Sequence, residues 1–121
     1  MTQISNLPAH KARNLIGQKK LSSTELVKSC IEQYEKHNPN INAIVAIDQK
    51  DVLEQAKKCD VKVSKGETLG LLHGLPVGIK DLQMVKNLRS TYGSLLFKNY
   101  IPKHDDNIVI NIREEGGIIF C

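Results

Sequence analysis

The sequence predicts an α/β protein with a largely buried sheet, and three observations carry that prediction. Segments of helical period alternate with short apolar runs of strand length, a capping box opens the best-marked helix, and a last apolar run follows a glycine pair. Composition agrees: 121 residues, 40% hydrophobic and 25% charged, suit one soluble globular unit rather than a disordered or fibrous chain.

The first helix is expected from Pro8, a residue favoured at the first helical turn, and fades at Gly17. The second opens on Ser22-x-x-Glu25, where the serine accepts from one orphan amide and the glutamate returns to another. Leu26, Val27, Cys30, Ile31 and Tyr34 then recur at helical spacing, opposite a polar face of Lys28, Glu32, Gln33 and Lys36. Asn38-Pro39 is expected to stop it, because proline disfavours the helical conformation of the residue before it. The run Ile41 to Ile47 is short for a helix and reads as a buried strand.

A third helix is expected from about Asp51, with Val52, Leu53, Ala56, Cys59 and Val63 on one side and Gly66 at its exit. Leu71 to Pro76 is a turn-rich approach to an apolar stretch, Val77-Gly78-Ile79, which ends on Lys80-Asp81. Residues 82–104 read as loop, with one helical turn near Leu95–Phe97. Asp105 or Asp106 can cap a final helix carrying Ile108, Val109 and Ile112, which ends at Gly116-Gly117. Ile118 to Cys121 then reads as the next strand. A chain that stops inside an apolar strand, with nothing after it to cover that strand, is expected to be truncated.

Several function classes are excluded early. No apolar run reaches the 18 or so residues that would span a bilayer, and the N-terminus lacks a basic segment followed by an apolar one, so a cytoplasmic protein without membrane contact is expected. Seventeen basic against thirteen acidic residues leave +4, but the lysines are scattered among acids and only five aromatics are present, so no nucleic-acid partner is expected. Cys30, Cys59 and Cys121 are odd in number and far apart, and no C-x-x-C or paired-histidine spacing occurs among His10, His37, His73 and His104. Three free thiols and no metal site are the expectation.

The catalytic motifs tested mostly fail. Gly74-x-x-x-Gly78-x-Lys80-Asp81 has neither adjacent Gly-Lys nor a hydroxyl residue after the lysine, so it is no phosphate loop. Tyr92-Gly93-Ser94-Leu95-Leu96 lacks the flanking glycines of a nucleophile elbow. There remains Lys80, at the end of an apolar strand. A strand-end lysine ordinarily holds its ammonium in water. One desolvated there becomes a neutral amine able to accept a proton, unless the neighbouring carboxylate of Asp81 opposes it.

The wording around that lysine is specific. Leu72-His73-Gly74-Leu75-Pro76-Val77-Gly78-Ile79-Lys80-Asp81 resembles the lysine segment of amidase-signature enzymes. Leu21 to Leu26 followed by Asn40 to Ile44 resembles that family's N-terminal helix and first strand, and Gly66 to Gly70 its lead into the lysine. Ser90-Thr91-Tyr92-Gly93-Ser94 is similar to its T-x-G-S loop, and Pro102 to Gly116 to the run in which an acid starts a helix. These matches cover nearly the whole chain in order.

The resemblance implies a large α/β/α hydrolase of carbon–nitrogen amide bonds with a mixed sheet and a Ser–cis-Ser–Lys triad, residues 1–121 being the incomplete N-terminal part of one amidase domain. Lys80 matches the triad lysine, while both serines belong to a later glycine-flanked segment that these residues lack. Ser90 and Ser94 are therefore not expected to be catalytic, His73 is expected to support the turn rather than act as a base, and Cys121 stands where the family often has glycine. No cofactor and no metal are implied, and the partner is a small-molecule amide, with either a homodimer or, for one component of an amidotransferase, partner subunits. Three readings stay open: an amidase, favoured by the loop Lys86 to Tyr100; the glutaminase subunit of a tRNA-dependent amidotransferase; and a catalytically inactive fragment or interaction domain.

Overall fold

The structure is a computed structural model that describes residues 3–121. In chain order it has α1 (Ala9–Gly17), α2 (Ser23–Ile41), α3 (Gln49–Ser64), β1 (Pro76–Val77), α4 (Asn107–Glu114) and β2 (Ile118–Ile119), with 3-10 turns at Ile4–Asn6 and Leu95–Phe97. The α/β class is as predicted. Among the described residues the sheet is one parallel pair, with Pro76 opposite Ile118 and Val77 opposite Ile119.

β2 is the middle layer, and its alternation decides what packs where. Ile118 and Phe120 face one way, onto Val27 and Ile31 of α2 and Val52 and Ala56 of α3. Ile119 faces the other way, onto Val109 of α4 and Val85 of the long loop. A third cluster joins Ala12 and Ile16 of α1 to Leu26 of α2 and to Leu75, just ahead of β1. Each fully buried valine or isoleucine in these clusters contributes about 1.5–3 kcal/mol relative to exposure.

The capping box at α2 forms as expected: Ser22 Oγ accepts from the Glu25 amide at 3.0 Å, and Glu25 Oε2 accepts from the Ser22 amide at 2.8 Å. Those bonds hold the Glu25 carboxyl below its ordinary range. Asp60 of α3 adds a cap from outside, accepting from the amides of Ser23 and Thr24 at 2.6 and 3.1 Å. Gly116 takes φ +80° and ends α4, with the Gly117 amide returning to Ile112 O at 2.9 Å. A side chain there would collide with His73, since an added Cβ would lie 2.8 Å from its Nδ1.

Four expectations need correction. α2 passes through Pro39 and ends at Ile41, with Asn42 in the left-handed region at φ 47°. Proline in a last turn forfeits a single backbone bond, and the Asn42 amide still reaches Asn38 O at 2.7 Å. The segment expected as a strand at 41–47 is consequently helix end and extended loop, with Ile41 67% exposed. Its pairing is made by a side chain instead: Asn38 Oδ1 accepts from the Ile44 amide at 2.8 Å and Asn38 Nδ2 donates to Ile44 O at 3.0 Å. α3 starts at Gln49 rather than Asp51, because Asp48 is the residue whose side chain accepts from the Asp51 amide. Asp106 stands at the N-cap of α4 but makes no side-chain cap; its carboxylate accepts from the Met84 amide at 2.7 Å.

Candidate active site

The turn Leu71–Gly74 feeds β1, and its backbone is sewn to the start of β2: the Gly74 amide donates to Gly116 O at 2.9 Å, and the Ile118 amide to Leu75 O at 2.9 Å. Gly74 has φ +78°, and a Cβ there would lie 2.3 Å from Ser23 Oγ, so this position admits only glycine. Beyond the two strand residues the ladder continues, with the Phe120 amide donating to Val77 O and the Ile79 amide to Cys121 O, both at 2.9 Å. The sequence-predicted strand Val77–Ile79 is therefore real in its hydrogen bonding, and it delivers Lys80 to the sheet's end.

Past that end the backbone turns sharply, with Lys80 O accepting from the Leu82 amide at 2.7 Å and the Gln83 amide at 3.0 Å. Lys80 lines an open cleft of about 390 Å³, together with Asp81, Arg89, Tyr92, Cys121 and the extended segment Ala43–Ala46. Its side chain is exposed. The desolvation that would favour a neutral amine is thus not supplied by the described residues alone.

Asp81 is engaged by Thr91 and forms no ion pair with the lysine. Its Oδ1 accepts from the Thr91 amide at 2.6 Å and its Oδ2 from Thr91 Oγ1. Partial burial works against ionisation of this carboxyl, but the Thr91 bonds and the Arg89 charge outweigh it and hold it below the ordinary range. Arg89 closes one wall, donating through Nη2 to Val45 O and through Nη1 to Lys98 O at 3.4 Å. Periodicity could not have found this clamp, since it joins two loops 44 residues apart.

The other hydroxyl, imidazole and thiol candidates have structural partners. Ser90 is buried and donates to Leu88 O at 3.3 Å, and Ser94 accepts from the Leu96 amide at 3.3 Å to open the 3-10 turn. His73 is buried, with Nε2 3.0 Å from Cys59 O. A carbonyl only accepts, so Nε2 carries the proton and the ring ties the turn to α3. Cys121 is half-buried beside the cleft, and burial pushes its thiol up, as it does those of Cys30 and Cys59. All three are free thiols. No described helix is long and apolar enough to cross a membrane.

Comparison with known proteins agrees with this geometry. The chain is 37% identical over 115 residues to a glutamyl-tRNA(Gln) amidotransferase subunit of Clostridium botulinum (strain Eklund 17B / Type B), a match covering 95% of this chain and 24% of that protein. Its fold superposes on a bacterial aryl acylamidase of the amidase-signature enzymes with a TM-score of 0.86 at 24% identity, covering 94% of this chain and 24% of that one. The peptide amidase of Stenotrophomonas maltophilia gives a TM-score of 0.85 at 22% identity, covering 95% and 24%. The chain thus spans about a quarter of the length of the curated relatives it matches. With the Amidase profile matching residues 25–121, the chain belongs to the amidase-signature family.

Proposed function

We propose that these residues supply the general base of an amidase-type hydrolase, with Lys80 taking a proton from a serine nucleophile by way of a bridging serine. The single observation that carries the reading is the placement of Lys80: a family-specific segment, pinned by a parallel ladder and a glycine-only turn, ends in an amine at the rim of a cleft. A hydroxyl is a weak nucleophile, and a positioned base makes it a strong one. The nucleophile would form an acyl-enzyme that water then hydrolyses. Ser90 and Ser94 do not fit the serine roles, because each is committed to a neighbouring backbone group. The triad serines in this reading lie in chain beyond these 121 residues, which by themselves are catalytically silent. The substrate is a small carboxylic amide, met in the cytoplasm.

A second reading has its own observation. The 37% identity to a component of a glutamyl-tRNA(Gln) amidotransferase favours glutamine as the amide, with partner subunits completing the assembly. The loop Lys86 to Tyr100 favours the general amidase. One experiment separates them: release of ammonia from acetamide, benzamide and L-glutamine by the longest protein the gene encodes. Turnover of simple amides without a partner supports the first reading, and glutamine hydrolysis that requires partner subunits and ATP supports the second. Amide turnover by the 121-residue chain alone would overturn the placing of the serines elsewhere.

A further inference from the structure

Lys80 carries the next residue's carboxylate as its nearest covalent neighbour in charge, and the structure shows where that carboxylate goes. Among the described residues the ion pair formed is Arg113 with Asp105, at 2.9 Å; Lys80 and Asp81 form none. Both Asp81 oxygens are taken by Thr91, one by its amide at 2.6 Å and one by its hydroxyl. Thr91 is in turn the hub of a tight turn. Its Oγ1 accepts from the Gly93 amide at 3.2 Å, and its carbonyl accepts from the Ser94 amide at 2.9 Å. Tyr92 and Gly93, at φ 54° and 67°, both hold left-handed conformations within it.

We propose that Asp81 is a positioning residue for Lys80: by gripping Thr91 through both carboxylate oxygens it ties the 90–94 turn to the end of β1 and keeps its own charge off the amine. The proposal rests on the reading of Lys80 as the base. Physically, the loop from Leu82 to Ser90 leaves and returns at this one point. Charge-assisted bonds to an amide and a hydroxyl fix the return more firmly than neutral ones would. Tyr92 and Arg89, close in chain to the latch, line the same cleft as Lys80. If Thr91 were unable to bond it, Asp81 would be free to turn back and pair with the ammonium, which is the form that cannot accept a proton.

The chemistry distinguishes geometry from charge. In Asp81→Asn, the amide oxygen still accepts from the Thr91 backbone, and its NH2 can donate to Thr91 Oγ1 with the hydroxyl reversed. Asp81→Ala can do neither. In the longest protein the gene encodes, with acetamide, benzamide and L-glutamine as probes, Asp81→Ala is expected to lower kcat on the order of 100-fold with KM little changed. Asp81→Asn should restore most of that loss. Thr91→Val, which keeps the amide but loses the hydroxyl, should fall between them, and Thr91→Ser should match wild type. An Asn variant as impaired as the Ala variant, or an Ala variant within about threefold of wild type, would overturn the proposal.

Two further measurements keep the outcomes distinct. Amide hydrogen exchange at Thr91 should quicken about tenfold or more in Asp81→Ala and much less in Asp81→Asn, whatever Lys80 does. Unchanged exchange would overturn the latch even if activity fell. Lys80→Met run alongside tests the parent reading: full activity in that variant removes the base, while quickened Thr91 exchange would still support the latch. Should Asp81→Ala fail to fold, Thr91→Val carries the same test through kcat.

Discussion

Gly74→Ala tests how tightly the turn before the lysine strand is built. Two costs add at this position. Alanine at φ +78° sits in the left-handed region, for about 1–2 kcal/mol. Its Cβ also meets Ser23 Oγ at 2.3 Å and Ile16 Cδ1 at 3.1 Å, an overpacking whose cost is about 1–3 kcal/mol. The sum is a destabilisation of about 2–5 kcal/mol. Ser23 offers a relief valve: it is fully buried, and its Oγ has no hydrogen-bond partner. Ser23→Ala alone should therefore be neutral or slightly stabilising, because it removes a desolvated hydroxyl. The double variant should recover about 1–2 kcal/mol of the clash while keeping the backbone strain. Urea unfolding of the four proteins, followed by far-UV circular dichroism, gives the cycle. A Gly74→Ala variant within about 0.5 kcal/mol of wild type, or strict additivity with Ser23→Ala, would refute the reasoning.

Gln55→Leu should be strongly destabilising. Gln55 Oε1 accepts from the Ile119 amide at 3.0 Å and its Nε2 donates to Ile119 O at 3.2 Å, so the variant leaves two buried backbone groups unpaired, at about 1–3 kcal/mol each. Denaturant midpoints check it, and a loss below about 1 kcal/mol would contradict it. Asp81 should make stability pH-dependent in a definite direction. Its folded-state pKa is depressed, so its contribution is present above the unfolded carboxyl value and is lost as pH falls through the folded one. Stability measured from neutral pH into the acid range should therefore fall less steeply in Asp81→Asn than in wild type, and parallel curves would count against the Thr91 bonds.

Much of this was legible in the residues because it is local. Ser22 and Glu25 announce their helix three residues apart, and Gly116 announces the end of α4. The lysine segment was readable as wording, and in the structure Gly74 makes the left-handed turn, Val77 and Ile79 carry the ladder and Lys80 follows it. What escaped is non-local pairing. Pro39 looked like a stop because proline disfavours the helical conformation of the residue before it, whereas Asn38 stays helical here and its carbonyl still accepts from the Asn42 amide. Residues 41–47 looked like a strand because apolar runs of that length usually pair with backbone, but a side-chain amide took the Ile44 groups. Gln55 does the same for Ile119, from 64 residues away. Arg89 on Val45 and Asp81 on Thr91 likewise join segments that no period connects. The exposure of Lys80 is the ordinary state of a strand-end lysine, whereas the desolvated alternative depends on what covers the cleft.

The most direct test is the turnover number of Lys80→Met in the longest protein the gene encodes, on an amide that the wild type hydrolyses. The variant keeps an aliphatic side chain of similar length and removes only the amine. If Lys80 is the base, kcat should fall by about 100-fold to 10,000-fold, the range for loss of a positioned acid–base group, with the thermal midpoint unchanged. Undiminished kcat in a folded Lys80→Met protein would show that another group takes the proton.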